Sequence, residues 1–573
     1  MKTLHKFCLL ALGVTALTAC DSVDYSNVTI YTADHILTQD PDQSDVEAVA
    51  VQDGVILATG PELRLARKYK GAVFDTQFEG KTIVPGLIDP HVHMTLGSMF
   101  YALDFVPPWD MAHPTGIVKG LPDRADFLAR IAELETQAPD GPLILFGYHN
   151  LVQGDLTRQD LDNITTDRPL YIWHFSGHDF YLNSAAIKAS KLEPSLAEKF
   201  HGVGLDADGE LNGRIYEDAA LALFASIGPT LMSPTNLARG YNGYEKIFAR
   251  GGITTVAEMG YGIFGRPLED NVIKNFYGDD DSYRLYLVPE KRAFDKEFGE
   301  DAPAKILDMT GEDRRAKVLP QVKFFTDAAF YSQTMRLMEP GYIGGQSKGT
   351  SGLWVTEPED LANDLRPYWE AGLDIHIHSN GDAAQTSTLN ALDTLKSEGS
   401  EPEQRLVLEH AGLMRPEHIA DAGRLGAGIS AASHYVFYMG EDYKSAIGER
   451  VKYISPLRSS IEAGIPVTLH SDAPLAPPMP LVAAGVHMTR ATRQGGVSTP
   501  SEALTAEQAL RAITLDAAWS LGLEDEIGSI EAGKKADFTI LGENPLDLTG
   551  DKWPGIDIWG VVLGGDLHPL NTD

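Results

Sequence analysis

The chain has 573 residues, 43% hydrophobic and 22% charged, enough apolar material for a sizeable core in one large domain with a smaller companion. Lys and Arg total 47 against 81 Asp and Glu, a formal charge of −34. That balance excludes the basic footprint by which proteins neutralise nucleic-acid phosphates, and it disfavours polyanionic partners generally.

The first residues read as an export signal. Lys2 and Lys6 give a basic start, and Phe7 through Ala16 form an apolar segment too short to span as a mature transmembrane helix. Leu17-Thr18-Ala19-Cys20 follows and resembles the lipobox of bacterial lipoproteins. The resemblance implies removal of residues 1–19, lipidation of Cys20, and residues 20–27 as a short polar tether. The protein is then expected to be exported and held by its lipid alone at a bacterial membrane, facing the periplasm or the exterior. The alternative is an ordinary cleaved signal with Cys20 incidental. Cys8 and Cys20 are the two cysteines, so the mature chain offers no free thiol, disulfide or thiolate metal site. Any metal must be held by histidines and carboxylates.

Residues 28–60 read as short strands, Val28-Thr29-Ile30-Tyr31, Ala48-Val49-Ala50-Val51 and Val55-Ile56-Leu57-Ala58, with Asp53-Gly54 as a hairpin turn. The far end has the same texture at 527–530, 536–541 and 558–563. Two all-β ends predict one small β-sandwich domain from residues 28–83 and 527–573, with residues 84–526 inserted between them. That middle alternates β-like runs with helical spacing, as at 125–137, 358–371 and 504–521. Such alternation predicts a parallel α/β fold, with the (β/α)8 TIM-like barrel the leading option. Between Pro85 and His378 five β-like runs occur (143–147, 170–175, 253–257, 284–288 and 322–325) where three suffice, so two belong outside the barrel or are misread.

The strongest local signal is Thr82-Ile83-Val84-Pro85-Gly86-Leu87-Ile88-Asp89-Pro90-His91-Val92-His93. Residues i and i+2 of a strand share a face, so both imidazoles can converge on one ion. Three further apolar runs end in ligand-type residues: His376-Ile377-His378, Glu409-His410 and His470-Ser471-Asp472. In a closed parallel barrel all strand C-termini face one rim, where these side chains would meet.

With Gly177-His178, Asn183-Ser184-Ala185-Ala186, Gly252-Ile253-Thr254-Thr255-Val256, Ser379-Asn380-Gly381-Asp382, Ser471-Asp472-Ala473-Pro474 and Gly528-Ser529-Ile530-Glu531-Ala532-Gly533, the sequence resembles the amidohydrolase superfamily, in its amidohydrolase-3 (YtcJ-like) branch. The resemblance covers nearly everything after the tether. It implies His91, His93, His378, His410 and Asp472 as ligands for one or two divalent ions, zinc being expected, with Asp472 also taking a proton from the attacking water. Lys323, in Gln321-Val322-Lys323-Phe324-Phe325, is the candidate for a carboxylated lysine bridging two ions; the alternative is an unmodified lysine that binds substrate or pairs with Asp327. His376 is expected to stand behind the ligands, and His178 and Glu217 to line the pocket or to be structural. The expected reaction is hydrolysis of a non-peptide carbon–nitrogen bond in a small-molecule substrate. A mononuclear deaminase and a non-catalytic solute-binding lipoprotein are the alternatives, and a homo-oligomer stays open. The region 95–170 and the loops 260–320 and 330–356 are long enough to shape the pocket, with Tyr101, Phe105, Trp109, Tyr331 and Trp354 as candidate walls or loop-core aromatics.

Overall fold

The computed structural model describes residues 25–278, 280–399 and 404–570. The export signal, Cys20 and the first part of the tether lie outside the described residues. Among the described residues no helix is long and apolar enough to cross a membrane.

Eight strands of the middle region carry the fold's centre: β1 (Leu87–Val92), β2 (Ile253–Tyr261), β3 (Arg284–Pro289), β4 (Gln321–Phe325), β5 (Asp374–Ser379), β6 (Leu406–His410), β7 (Gly428–Ala432) and β8 (Val467–His470). β1, β2 and β3 pair in parallel, with the two-residue strand Lys317–Val318 beside β3. β4 through β8 form a second parallel sheet in chain order. Parallel bridges between Val92 and Ala473 and between Glu290 and Lys323 link the margins of the two sheets. These strands are covered on both faces, which is why they read as continuous apolar runs rather than alternating ones. All nine residues of β2 are buried.

The expected helices form at Arg124–Gln137, where the Asp123 side chain caps the first turn, and at Pro358–Glu370, where Pro358 opens the helix. The single helix expected over 504–521 is instead two, Ala506–Ala512 and Leu515–Ser520. The break has a reason: the carbonyl of Ala512 accepts from the Thr468 hydroxyl at 2.8 Å, and that of Ile513 from the Ile88 amide at 3.0 Å. Carbonyls that would have continued the helix are used to hold β8 and the start of β1.

Of the five β-like runs ahead of His378, the first two belong to a separate six-stranded sheet. It comprises Val203–Leu205, Leu211–Tyr216, Asp179–Leu182, Leu170–His174, Leu143–Tyr148 and Asp104–Phe105, in that order. This inserted sheet sits between β1 and β2 in the sequence. Residues 260–320 are not a loop as expected. They contain β3 and helices Arg266–Phe276, Lys291–Phe298 and Ala302–Thr310.

The two chain ends meet in one continuous seven-stranded sheet, where Phe538–Leu541 pairs antiparallel with the end of Val73–Pro85. One face buries Tyr31, Phe78, Ile83, Phe538 and Ile540; another cluster joins Val28, Ile30, Ala48 and Ala50 to Leu65 and Tyr69 of the helix Glu62–Lys68. Strand Val73–Pro85 continues through Gly86 directly into β1, so this sheet fixes the base of the strand that carries His91 and His93.

Candidate metal centre

The C-terminal ends of β1, β4, β5, β6 and β8 converge. His91, His93, Lys323, His378, His410 and Asp472 all line one cavity of about 80 Å³, together with His178 and Leu475. Every one of the six strand-end residues read from the sequence is therefore at the same place.

Asp472 is the hub. Its Oδ1 lies 3.3 Å from His93 Nε2 and 3.5 Å from His91 Nε2, and its Oδ2 lies 3.8 Å from His410 Nδ1. The far side of each β1 ring is tied down by a carboxylate. His91 Nδ1 donates to Glu409 Oε2 at 2.5 Å, and His93 Nδ1 donates to Glu258 Oε1 at 3.1 Å. On His91, which burial holds well below its usual value, a proton on Nδ1 leaves Nε2 with its lone pair toward the cavity, the tautomer that a metal-binding imidazole requires; His93 is raised to about 9, its burial overcome by Asp472 and Glu258. Glu409 Oε1 also accepts from His376 Nδ1 at 2.6 Å, so His376 stands behind the ligands, as its deeper position on β5 predicts.

His378 sits differently. Its Nε2 is 3.1 Å from the Ala328 carbonyl and 3.0 Å from Asn380 Nδ2, and its ring meets His410 edge-on at 4.5 Å. It lines the cavity without joining either of the two groups whose ligand atoms lie within 4.8 Å of one another. Those groups are His91, His93 and Asp472, and His91, His410 and His470. His470 went unassigned in the sequence, although it ends β8 as the other ligands end their strands. Its ring stacks on His91 at 4.5 Å, and neither ring nitrogen has a hydrogen-bond partner within the protein. Glu409 and Glu258 were missed as well; Glu409 stands next to the end of β6, while Glu258 lies inside β2, after the apolar run 253–257.

The electrostatics follow from burial against pairing. Burial pushes the Glu409 carboxyl up, but His91, His376 and Lys323 around it hold it well below the ordinary carboxylate range. Asp472 behaves alike, with burial overcome by His93, His410 and His91. Burial lowers the Lys323 ammonium to about 8, partly opposed by Glu409 and Asp472, and its Nζ has no hydrogen-bond partner within the protein. His410 is pushed well below its usual value, chiefly by burial, and His470 to about 4 for the same reason. Buried neutral imidazoles beside an ionised carboxylate are the donor set that zinc and similar cations take up.

Backbone strain marks the same residues. His410, Ala411 and Asp472 have φ of 70°, 47° and 54°, the left-handed region that non-glycine residues avoid. Glu217, with φ of 47°, shares it. Glu217 comes from the inserted sheet and accepts from His178 Nδ1 at 3.0 Å and from the Thr334 hydroxyl at 2.5 Å. Burial raises the Glu217 carboxyl, but His178 and the Thr334 hydroxyl bring it down to about 2. The partly exposed His178 ring is in turn raised by Glu217 against the lowering effect of burial. Both residues face the cavities, and Glu217 ties residues 326–356 to the inserted sheet. Those residues are seated over β5, where a Cβ on Gly381 would fall 1.8 Å from the Arg336 carbonyl oxygen. Of the aromatics read as walls or loop core, Tyr101, Phe105, Trp109 and Tyr331 are buried in the core, and Trp354 lies against Arg336. Trp173, Phe180, Phe224, Phe264 and Phe325 line the space beside the histidines instead.

A model of the amidohydrolase family matches residues 78–567. The Bacillus subtilis (strain 168) protein YtcJ is 26% identical over 549 residues, covering 91% of this chain and 95% of that protein. The N-substituted formamide deformylase of Arthrobacter pascens is 26% identical over 564 residues, covering 94% and 97% respectively. Among solved structures, an uncharacterized metal-dependent hydrolase from Pyrococcus horikoshii OT3 superposes with a TM-score of 0.68 at 20% identity, over 91% of this chain and 99% of that one, a likeness of fold. With the family match spanning most of the sequence, the chain belongs to the amidohydrolase family.

Proposed function

We propose that this chain is a metal-dependent hydrolase that cleaves a non-peptide amide-type carbon–nitrogen bond in a small molecule. The observation that carries the reading is Asp472, an ionised carboxylate against the Nε2 atoms of both β1 histidines, with Glu409 and Glu258 behind them. The donor set fits a divalent ion, since His410 Nδ1, His470 Nδ1 and Nε2, and Lys323 Nζ are buried without protein partners. His91, His93, His378, His410 and Asp472 would hold it, with His470 added to the set. A divalent ion held there supplies Lewis acidity, which makes water nucleophilic near neutral pH and polarises a carbonyl.

The protein's own groups do the rest. Asp472 accepts the proton of the attacking water and returns it to the leaving nitrogen, as base and then acid. Glu409 and Glu258 hold the imidazoles in the required tautomer. A Lys323 ammonium lowered to about 8 keeps a neutral amine fraction near pH 7, the form that carboxylation by carbon dioxide needs, which supports a bridging role in a two-ion site. Similarity to a deformylase of N-substituted formamides supports the amide class of substrate.

The two bridges that link the sheet margins support closure of β1–β8 into an eight-stranded barrel, carried by residues 84–526, with the chain-end sheet (28–83 and 527–573) as a second domain. Export and lipid anchoring at Cys20 belong to the same proposal and rest on the N-terminal sequence; incorporation of labelled palmitate, lost in Cys20→Ala, tests them.

The central experiment is metal analysis of the purified chain with a hydrolysis panel of N-formyl amines, N-acyl amino acids, cyclic amides and ureas. The expected result is amide hydrolysis that chelation abolishes and a divalent cation restores. Metal-loaded protein that deaminates a ring carbon and leaves amides intact would overturn the reading.

A further inference from the structure

Beside the metal-centre cavity lies a chamber of about 420 Å³, a size suited to a small organic ligand. The two spaces adjoin, and His93, Leu96, Gly177, His178 and Phe325 line both. The chamber's walls are aromatic. Trp173 stacks on Phe180 at 4.6 Å and meets Phe224 edge-on at 6.0 Å, and Phe224 leans on Phe264 at 5.8 Å. Such walls favour an apolar occupant, and an aromatic one gains further from edge and face contacts.

The charges on the chamber's lining select against an anion. Glu217, Asp218, Glu258, Glu269 and Asp327 all line it, although burial pushes Glu269 up to about 8 and Asp327 up to about 7, toward the neutral form, which leaves Glu217, Asp218 and Glu258 as the repelling charges. Arg292 is the single Lys or Arg among its lining residues, and its guanidinium is already engaged: Nε donates to Glu290 Oε1 at 2.6 Å while the group lies over the Phe325 ring at 4.5 Å. A carboxylate entering the chamber would meet acidic neighbours and basic side chains that already face a carboxylate, His93 at Glu258, His178 at Glu217 and His201 at 3.8 Å from Asp218, and desolvating it without a partner is costly. Of the acids, Glu258 is bonded to His93 and to the Met94 amide, and Glu269 accepts from the Gly262 and Phe264 amides. These two are committed to the protein.

We propose that this chamber is the specificity pocket for an uncharged, apolar substituent of the amide substrate, of aryl or branched-alkyl size, and that it rejects substrates bearing a carboxylate on that arm. The proposal rests on the amide-hydrolase reading above and names the substrate class of that same site. His178, at the neck between the two spaces, marks where the polar scissile group ends and the apolar arm begins.

The test measures kcat/KM of the metal-loaded full chain on two matched amide series. One series varies the nitrogen substituent and the other the acyl group, each from methyl through isobutyl to benzyl and then 4-carboxybenzyl. In the series whose arm enters the chamber, benzyl should exceed methyl by at least about 10-fold, and the added carboxylate should cost at least about 10-fold. Ile263, 37% exposed at the chamber wall, gives two variants that the fold should accommodate. Ile263→Trp should fill the chamber and erase the benzyl-to-methyl ratio through KM. Ile263→Arg should shrink the penalty on 4-carboxybenzyl relative to benzyl. Metal content and circular dichroism of each variant exclude misfolding as the cause. Hydrolysis with equal kcat/KM across both series, or ratios unmoved in both variants, overturns this inference alone. No hydrolysis of any amide overturns the reaction reading and this inference with it.

Discussion

The parallel strands and the inserted sheet make opposite kinds of contribution to one cavity. The strands deliver rigidly placed groups: His91, His378 and His410 at or near strand ends, His93 and Asp472 just beyond them, and Lys323 at the middle of β4, on strands paired on both sides or bridged to the next sheet. The inserted sheet delivers His178 and Glu217 together with Trp173 and Phe180 in the chamber wall. The first set can bind an ion and move a proton; the second can only choose and position what is presented to it. On the proposed reading, the ion-binding groups come from the strands alone while the chamber wall is shared between the inserted sheet and strand-side residues such as Ile263, Phe264 and Phe325, and mutations should separate the two contributions.

The largest effect expected is at the hub. On the proposed mechanism Asp472→Asn removes the group assigned to accept the water proton and should lower kcat by about 10³-fold, within the usual range for loss of a general base. If the variant retains its metal and full activity, the strand ends are not the chemical half of the site. Next comes the support behind the ligands. Glu409→Gln unties His91 and His376 and should weaken metal affinity by about 10- to 100-fold, read as a shifted chelator titration. A chelated wild-type sample should also melt earlier than the loaded one, since an ion bound only by the folded state stabilises it.

On the inserted sheet the expected effect is smaller and of another kind. His178→Asn should reduce kcat/KM by about 10-fold with metal content unchanged, a change in substrate handling measured on the same samples. Loss of the metal in this variant would merge the two halves that the comparison keeps apart. The smallest effect is electrostatic. Glu217 is depressed to about 2 from 4.5, so its contribution to stability is present above pH 4.5 and fades as pH falls toward 2. His178 is raised above 6.5, so its contribution is complete below pH 6.5 and fades as pH rises through its shifted value. The difference in urea midpoint between the wild-type chain and Glu217→Gln should therefore be widest between about pH 4.5 and 6.5 and shrink on either side.

The same division explains what could be read from the sequence. His91 and His93 were legible because strand alternation is local, and Asp472 and His410 because each closes an apolar run. Glu409 and His470 carry the same signature and were within reach, whereas Glu258 lies inside β2, where nothing local marks it. The walls of the chamber were not within reach. Trp173 and Trp109 are the same residue type in similar stretches, yet Trp173 faces the chamber while Trp109 stacks on Tyr438 in the core. Which of them meets a substrate depends on how the inserted sheet is placed against β1, β2 and β4, a long-range arrangement that no local pattern encodes. The misread helix at 504–521 has a similar origin, because the carbonyls that end it are claimed by β1 and β8 from far away in the sequence.

The pairing of Phe538–Leu541 with Thr82–Pro85 has a consequence for how the molecule comes into being. The strand leading into His91 pairs early with Val28–Leu37 but lacks its second neighbour until more than 450 later residues have been made. Contacts so distant in sequence close late and slow the final step of folding. A product cut short before Phe538 should then carry every ligand residue and still be unable to hold the ion, making the last β-strands a built-in proofreader of completeness.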